Sequence, residues 1–75
     1  MREKVYEIIK ELSGIEDIND GMFLSEDLGF DSLDVITMLV ELEERACIEF
    51  EASDINPEDL NTVGSIVTLM EKYEV

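Results

Sequence analysis

The residues with chemistry to offer gather in one stretch, EDLGFDSLDVITMLVELEE, residues 26–44. Ser32 stands there between Asp31 and Asp34, just after Gly29 and just before a long apolar run. A serine nucleophile needs a base, usually histidine, and a third group to orient that base. The chain has no histidine, its lysines lie near the two ends, and carboxylates beside a hydroxyl raise its pKa further. The chain is therefore not expected to be an enzyme. Zinc and iron–sulfur sites fail on the donor count, with no histidine and one cysteine. Calcium fails on spacing. If Gly21 takes the sixth position of an EF-hand loop, Ile18 falls at the third, where an oxygen is required, and Asp27 at the twelfth, where glutamate is usual. No metal site is expected. Cys47 reads as a small apolar residue just after a helix, and its acidic neighbours work against a reactive thiolate.

Ser32 makes a better substrate than actor. At a helix start, after a glycine-containing loop, its hydroxyl should be exposed. A phosphate attached there would meet free backbone N–H groups and the positive end of the helix. From position alone, a plain N-capping serine is the simpler reading.

The elements that must hold this serine follow from periodicity. Residues 3–13 form an amphipathic helix with Val5, Ile8, Ile9 and Leu12 on one face and Gly14 as its stop. A long loop, 14–30, has turn signals at Asn19-Asp20-Gly21 and Gly29, and pins itself through Ile15, Ile18, Met22, Phe23, Leu24 and Leu28. A second helix runs from about Ser32 to Ala46, capped by Asp31 or Ser32, with Asp34 suited to its positive end. Its apolar stripe is wide: Leu33, Ile36 and Val40 on one side, extended by Val35, Met38, Leu39 and Leu42. That width predicts more than one neighbour. Residues 47–53 alternate like a strand but have no partner, so an extended connection is expected. A short helix follows, capped by Ser53 or Asp54, or by Asn56 with Pro57 at its first position. The last helix spans about Thr62 to Tyr73, burying Val63, Ile66, Val67, Met70 and Tyr73. A seam between helix two and Ile66, Val67, Met70 and Phe50 or Ile55 is expected to repack readily, being rich in methionine and leucine.

The fold class is thus all-α: a four-helix bundle of three longer helices, one short helix and a long first loop, in one domain over residues 1–75. Hydrophobic residues make up 45% of the 75-residue chain, too many for a disordered acidic tail. Twenty acidic residues against five basic ones leave a formal net charge of -15. Nucleic acid is excluded as a partner, anionic membranes are disfavoured, and basic partners are favoured. One cysteine permits no internal disulfide and suits a reducing, cytoplasmic setting. The opening MREKVYEIIKEL is not a signal peptide, and no run is long enough for membrane insertion.

Gly29-Phe30-Asp31-Ser32-Leu33 matches the G-x-D-S-L signature, so the chain resembles the acyl carrier protein family. Asp34, the helix ending Leu42-Glu43-Glu44, and Thr62-Val63 at the last helix extend the resemblance over essentially the whole chain. The resemblance implies a 4'-phosphopantetheine arm on Ser32, transferred from coenzyme A by a phosphopantetheinyl transferase that contacts Asp31 and Leu33. It also implies acyl cargo held as a thioester, and acyl-loading and acyl-processing enzymes whose basic patches meet Asp34, Glu41, Glu43 and Glu44. The protein is expected to be a monomer serving fatty-acid, polyketide or related biosynthesis. Three features depart from typical fatty-acid members: Thr37 stands where an acidic residue is usual, Arg45 where another is common, and the stretch ACIEFEASDINPEDL between helix two and the last helix is slightly longer. The alternatives are a peptidyl or aminoacyl carrier, for which a Gly-Gly pair before the serine is more usual, an arm-less acidic interaction module, and a calcium-responsive helical protein.

Overall fold

Val5, Ile8 and Ile9 recur at helical spacing, and all three are fully buried on one face of the first helix, α1 (Arg2–Ser13). In the computed structural model, which describes residues 2–56 and 58–73, two more helices follow, α2 (Ser32–Ala46) and α3 (Val63–Glu71), with a 3₁₀ turn at Ala52–Asp54. Gly14 ends α1 in the left-handed region, φ +75°, where its N–H reaches the Lys10 carbonyl at 2.8 Å. Leu12 was expected on the buried face but is 40% exposed. It sits in the last turn, where the face continues beyond the core. Both α2 and α3 pack against α1, and Ile8, Ile9, Met38, Leu42, Ile66 and Met70 form the sealed centre.

The fourth helix of the bundle is the 3₁₀ turn, and it lies earlier than the sequence suggests. Ser53 and Asp54 fall inside it, whereas they were expected to precede it. Downstream, the Asn56 carbonyl accepts from the N–H groups of Asp59 and Leu60. Pro57, expected at a helix start, lies outside the described residues. Residues 48–50 belong to no helix or strand, and the extended connection expected over 47–53 is broken by the left-handed Cys47 and by the 3₁₀ turn. α3 stops at Glu71. Tyr73 sits in the turn beyond it, half-buried, its ring edge-on to Phe50 at 5.2 Å. The Tyr73 hydroxyl donates to Asp54 at 2.5 Å and accepts from the Glu51 N–H at 3.0 Å.

The first loop is fastened by its backbone. Phe23 and Thr62 form an antiparallel bridge. Leu24 donates to the Asn61 carbonyl at 2.9 Å, Val63 to Met22 at 2.9 Å, and Gly64 to Asp20 at 2.8 Å. A Cβ on residue 64 would lie 3.0 Å from the Asp20 carbonyl oxygen, so a larger residue at this crossing would need the loop to give by a few tenths of an ångström. Leu24 and Leu28 are buried, and Ile15, Ile18 and Met22 pack half-buried on the core. Phe23 differs from expectation and is 42% exposed. Extended backbone alternates its side chains, and here Leu24 takes the inward position.

Candidate functional site at the start of helix two

Ser32 is the first residue of α2 and is exposed. Asp31 is the cap: its carboxylate accepts from the Asp34 N–H at 2.9 Å, while the Asp34 carboxylate accepts from the Asp31 N–H at 3.2 Å. This reciprocal box, with Val35 donating to the Asp31 carbonyl, satisfies all but two of the first-turn donors. The N–H groups of Ser32 and Leu33 have no acceptor among the described residues, as helix geometry dictates. They lie beside the Ser32 hydroxyl. A phosphodiester on that oxygen therefore fits: two donors and the positive helix end are at hand, and the nearest carboxylates are already held by N–H groups.

The turn into the site depends on Gly29, whose φ of +71° is left-handed. A Cβ there would touch nothing within 4 Å, so the demand is conformational, not steric. The turn sends Phe30 inward to 6% exposure, with its N–H on the Leu24 carbonyl at 2.8 Å. The motif thus stands on a buried ring.

Two hollows open at Ser32. One, of about 150 Å³, is walled by Val35, Ile36, Leu39, Ile55 and Leu60. The other, of about 300 Å³, runs between the first loop and Leu60-Asn61, past Leu24, Ser25 and Phe30. The expected seam is part open and part closed in this structure. Val35, Leu39 and Ile55 do line an opening, but Met38, Leu42, Ile66 and Met70 are closed core, and Leu60, missed in the sequence, supplies the opposite wall.

The outer face of α2 also differs from expectation. Leu33, Ile36 and Val40 are 71%, 55% and 44% exposed. Among the described residues, the inner half of the wide stripe shares the core with residues of α1, α3 and the connections, while the outer half faces solvent. The stripe's width in the sequence predicts contact with more than one neighbour; its outer residues are instead exposed apolar side chains on one helix face.

The acidic edge is unequal. Glu44 is exposed and has no partner among the described residues. Glu43 is half-buried, and its carboxylate accepts from the Phe50 N–H at 2.9 Å, holding the connection onto α2. Glu41 lies 3.5 Å from Arg45, whose guanidinium also pairs with Glu11 of α1 at 2.5 Å. The Glu11 hydrogen bond, then the charges of Glu11 and Glu41, raise the Arg45 pKa above its ordinary value. Arg45 thus interrupts the acidic edge and ties α2 to α1. In the loop that invited the calcium reading, Asp20 accepts from Arg2 and Tyr6, and Asp27 from the Phe23 N–H at 2.7 Å. Those carboxylates are spent on the fold. Among the described residues, no three histidine, cysteine, aspartate or glutamate side chains group to hold a metal, and no helix is long and apolar enough to cross a membrane.

Comparison with known proteins matches residues 3–70 to the family described as "Phosphopantetheine attachment site". Among solved structures, one described as "a putative acyl carrier protein" from Mycobacterium tuberculosis superposes with a TM-score of 0.85 at 27% identity, over 97% of each chain. With the family match spanning nearly the whole sequence, the chain belongs to the phosphopantetheine-binding carrier proteins, which hold cargo on 4'-phosphopantetheine and do not themselves catalyse.

Proposed function

We propose that this protein is an acyl carrier whose Ser32 Oγ bears the 4'-phosphopantetheine group, placed there from coenzyme A by a phosphopantetheinyl transferase. The observation that carries this is the exposed Ser32 hydroxyl beside two unclaimed N–H groups, with an apolar hollow opening next to it. Bound there, the group supplies a terminal thiol that carries acyl cargo as a thioester. The walls of that hollow, Val35, Ile36, Leu39, Ile55 and Leu60, suit the alkyl part of a fatty-acid or polyketide intermediate better than an aminoacyl group. Each methylene moved from water into such a wall is worth about 0.8 kcal/mol. The whole chain, residues 1–75, acts as one carrier domain, a cytoplasmic monomer.

The transferase and the acyl-loading and acyl-processing enzymes dock on the outer face of α2. Leu33, Ile36 and Val40 give that face an apolar centre. Asp31, Asp34, Glu43 and Glu44 give it an acidic rim for basic patches, with Glu44 the one of these whose side chain makes no hydrogen bond among the described residues, while Glu41 contributes less because Arg45 offsets its charge. Incubation with coenzyme A, magnesium and a broad-specificity phosphopantetheinyl transferase tests the assignment by intact mass. Wild type gains one phosphopantetheine, and Ser32→Ala gains none. A mass gain in Ser32→Ala would reject Ser32 as the attachment site.

A further inference from the structure

Two hollows share one mouth, formed by Ser32, Val35 and Leu60, but their walls differ in chemistry. Beyond the mouth, the smaller is lined by Ile36, Leu39 and Ile55. The larger carries neutral polar side chains, Ser25 and Asn61, set among Leu24 and Phe30. Neither the Ser25 hydroxyl nor the Asn61 carboxamide has a hydrogen-bond partner among the described residues, and both residues are exposed. The one charged residue on this wall, Asp31, lies at the Ser32 end, with its carboxylate already held by the Asp34 N–H.

From this we infer that the larger groove is the resting seat of the unloaded pantetheine arm, with Asn61 and Ser25 as hydrogen-bonding partners for its amides. The inference rests on Ser32 carrying the arm. A pantetheine chain bears two neutral amides, each with a donor and an acceptor, separated by short apolar segments. The groove offers the matching pattern: a carboxamide and a hydroxyl, both neutral, between apolar surfaces. The alkyl-lined hollow offers an amide nothing, and burying it there would leave its polar atoms unpaired. The floor of the groove is firm. Leu24 donates to the Asn61 carbonyl at 2.9 Å, and Phe30 donates to the Leu24 carbonyl at 2.8 Å, so both walls are fixed before any arm arrives. A preformed wall adds little ordering cost on binding.

The test uses ¹³C,¹⁵N-labelled protein converted to the holo form with unlabelled coenzyme A, with conversion verified by intact mass. Isotope-filtered NOEs are expected from arm protons to the Leu24 methyls, the Phe30 ring and the Asn61 side-chain amide. The Asn61 side-chain amide should also shift between apo and holo forms. Asn61→Ala keeps the backbone carbonyl that Leu24 uses, so the groove stays intact; its intact mass should still rise by one arm while the arm NOEs weaken. Arm NOEs to Ile36, Leu39 and Ile55, or none beyond the immediate neighbours of Ser32, would overturn the seat while leaving the attachment intact. Failure of the mass gain in wild type would instead strike the attachment itself.

Discussion

At the scale of single residues, the site is governed by Asp31. Its carboxylate holds the Asp34 N–H, which leaves the N–H groups of Ser32 and Leu33 as the open donors beside the serine. The same residue therefore caps the helix and sets which N–H groups face an attached phosphate. Asp31→Ala should destabilise the fold by about 1 kcal/mol, the usual cost of losing an N-cap acceptor. Asp31→Asn should lose little, because asparagine caps about as well. Urea denaturation of the three proteins checks this, and equal midpoints for the alanine and asparagine variants would contradict it. Thr62 plays the matching role at α3, where Ser65 returns the bond to its N–H at 3.1 Å. There the result is structural, since the α3 start is tied up with the first loop.

At the scale of elements, α2 has two apolar faces with different work. Met38, Leu39 and Leu42 face the core, and Leu33, Ile36 and Val40 face outward. Substitutions should separate them cleanly. Leu42→Ala should cost about 2–5 kcal/mol, as buried truncations do. Ile36→Ser should stay within about 0.5 kcal/mol of wild type in stability, as exposed substitutions do, yet slow transfer of the arm onto Ser32. Glu44→Lys should slow it too, with the loss shrinking as salt is added, because rim charges act mainly on association rate. Rates for both variants equal to wild type at low salt would place docking on another face.

At the scale of the whole molecule, a net charge of -15 opposes folding. Two of the five basic residues join elements: Arg45 links α2 to α1 through Glu11, and Arg2 links α1 to the first loop through Asp20. These pairs are exposed and individually weak. The remaining repulsion should yield to screening, so the melting temperature should rise between low and moderate sodium chloride, a thermal scan at constant pH being the measurement. An unchanged value would show the repulsion to be negligible. Acid is a poorer probe. Hydrogen bonds from Arg2 and then Tyr6 hold the Asp20 carboxyl below the ordinary carboxylate range. A folded pKa below the unfolded one stabilises above that range, and the gain is lost as pH falls through the folded value. Acidification thus relieves repulsion while weakening the Arg2–Asp20 tie, one of several that hold the loop.

What the sequence by itself determined is whatever rests on local chemistry. The helical spacing of Val5, Ile8 and Ile9, a cap from Asp31 or Ser32 with Asp34 in the first turn, Gly14 as a helix stop and Gly29 as a turn, and the motif around Ser32 are all readable within a few residues. The missing histidine argues against serine-nucleophile and zinc chemistry without any coordinates. What only the tertiary structure decided is which side of each apolar stripe meets another element. Leu33 and Leu39 are both leucines on one helix, yet one is 71% exposed and the other 5%, because α1 covers only part of a stripe whose width alone does not say what covers it. The same holds for carboxylates. Glu43 and Glu44 are adjacent and chemically alike, but only the path of the connection after Cys47 brings the Phe50 N–H to Glu43. The two hollows at Ser32 also belong to the fold, since Leu60 and Asn61, distant in sequence, reach the serine through the backbone bonds between the first loop and the start of α3.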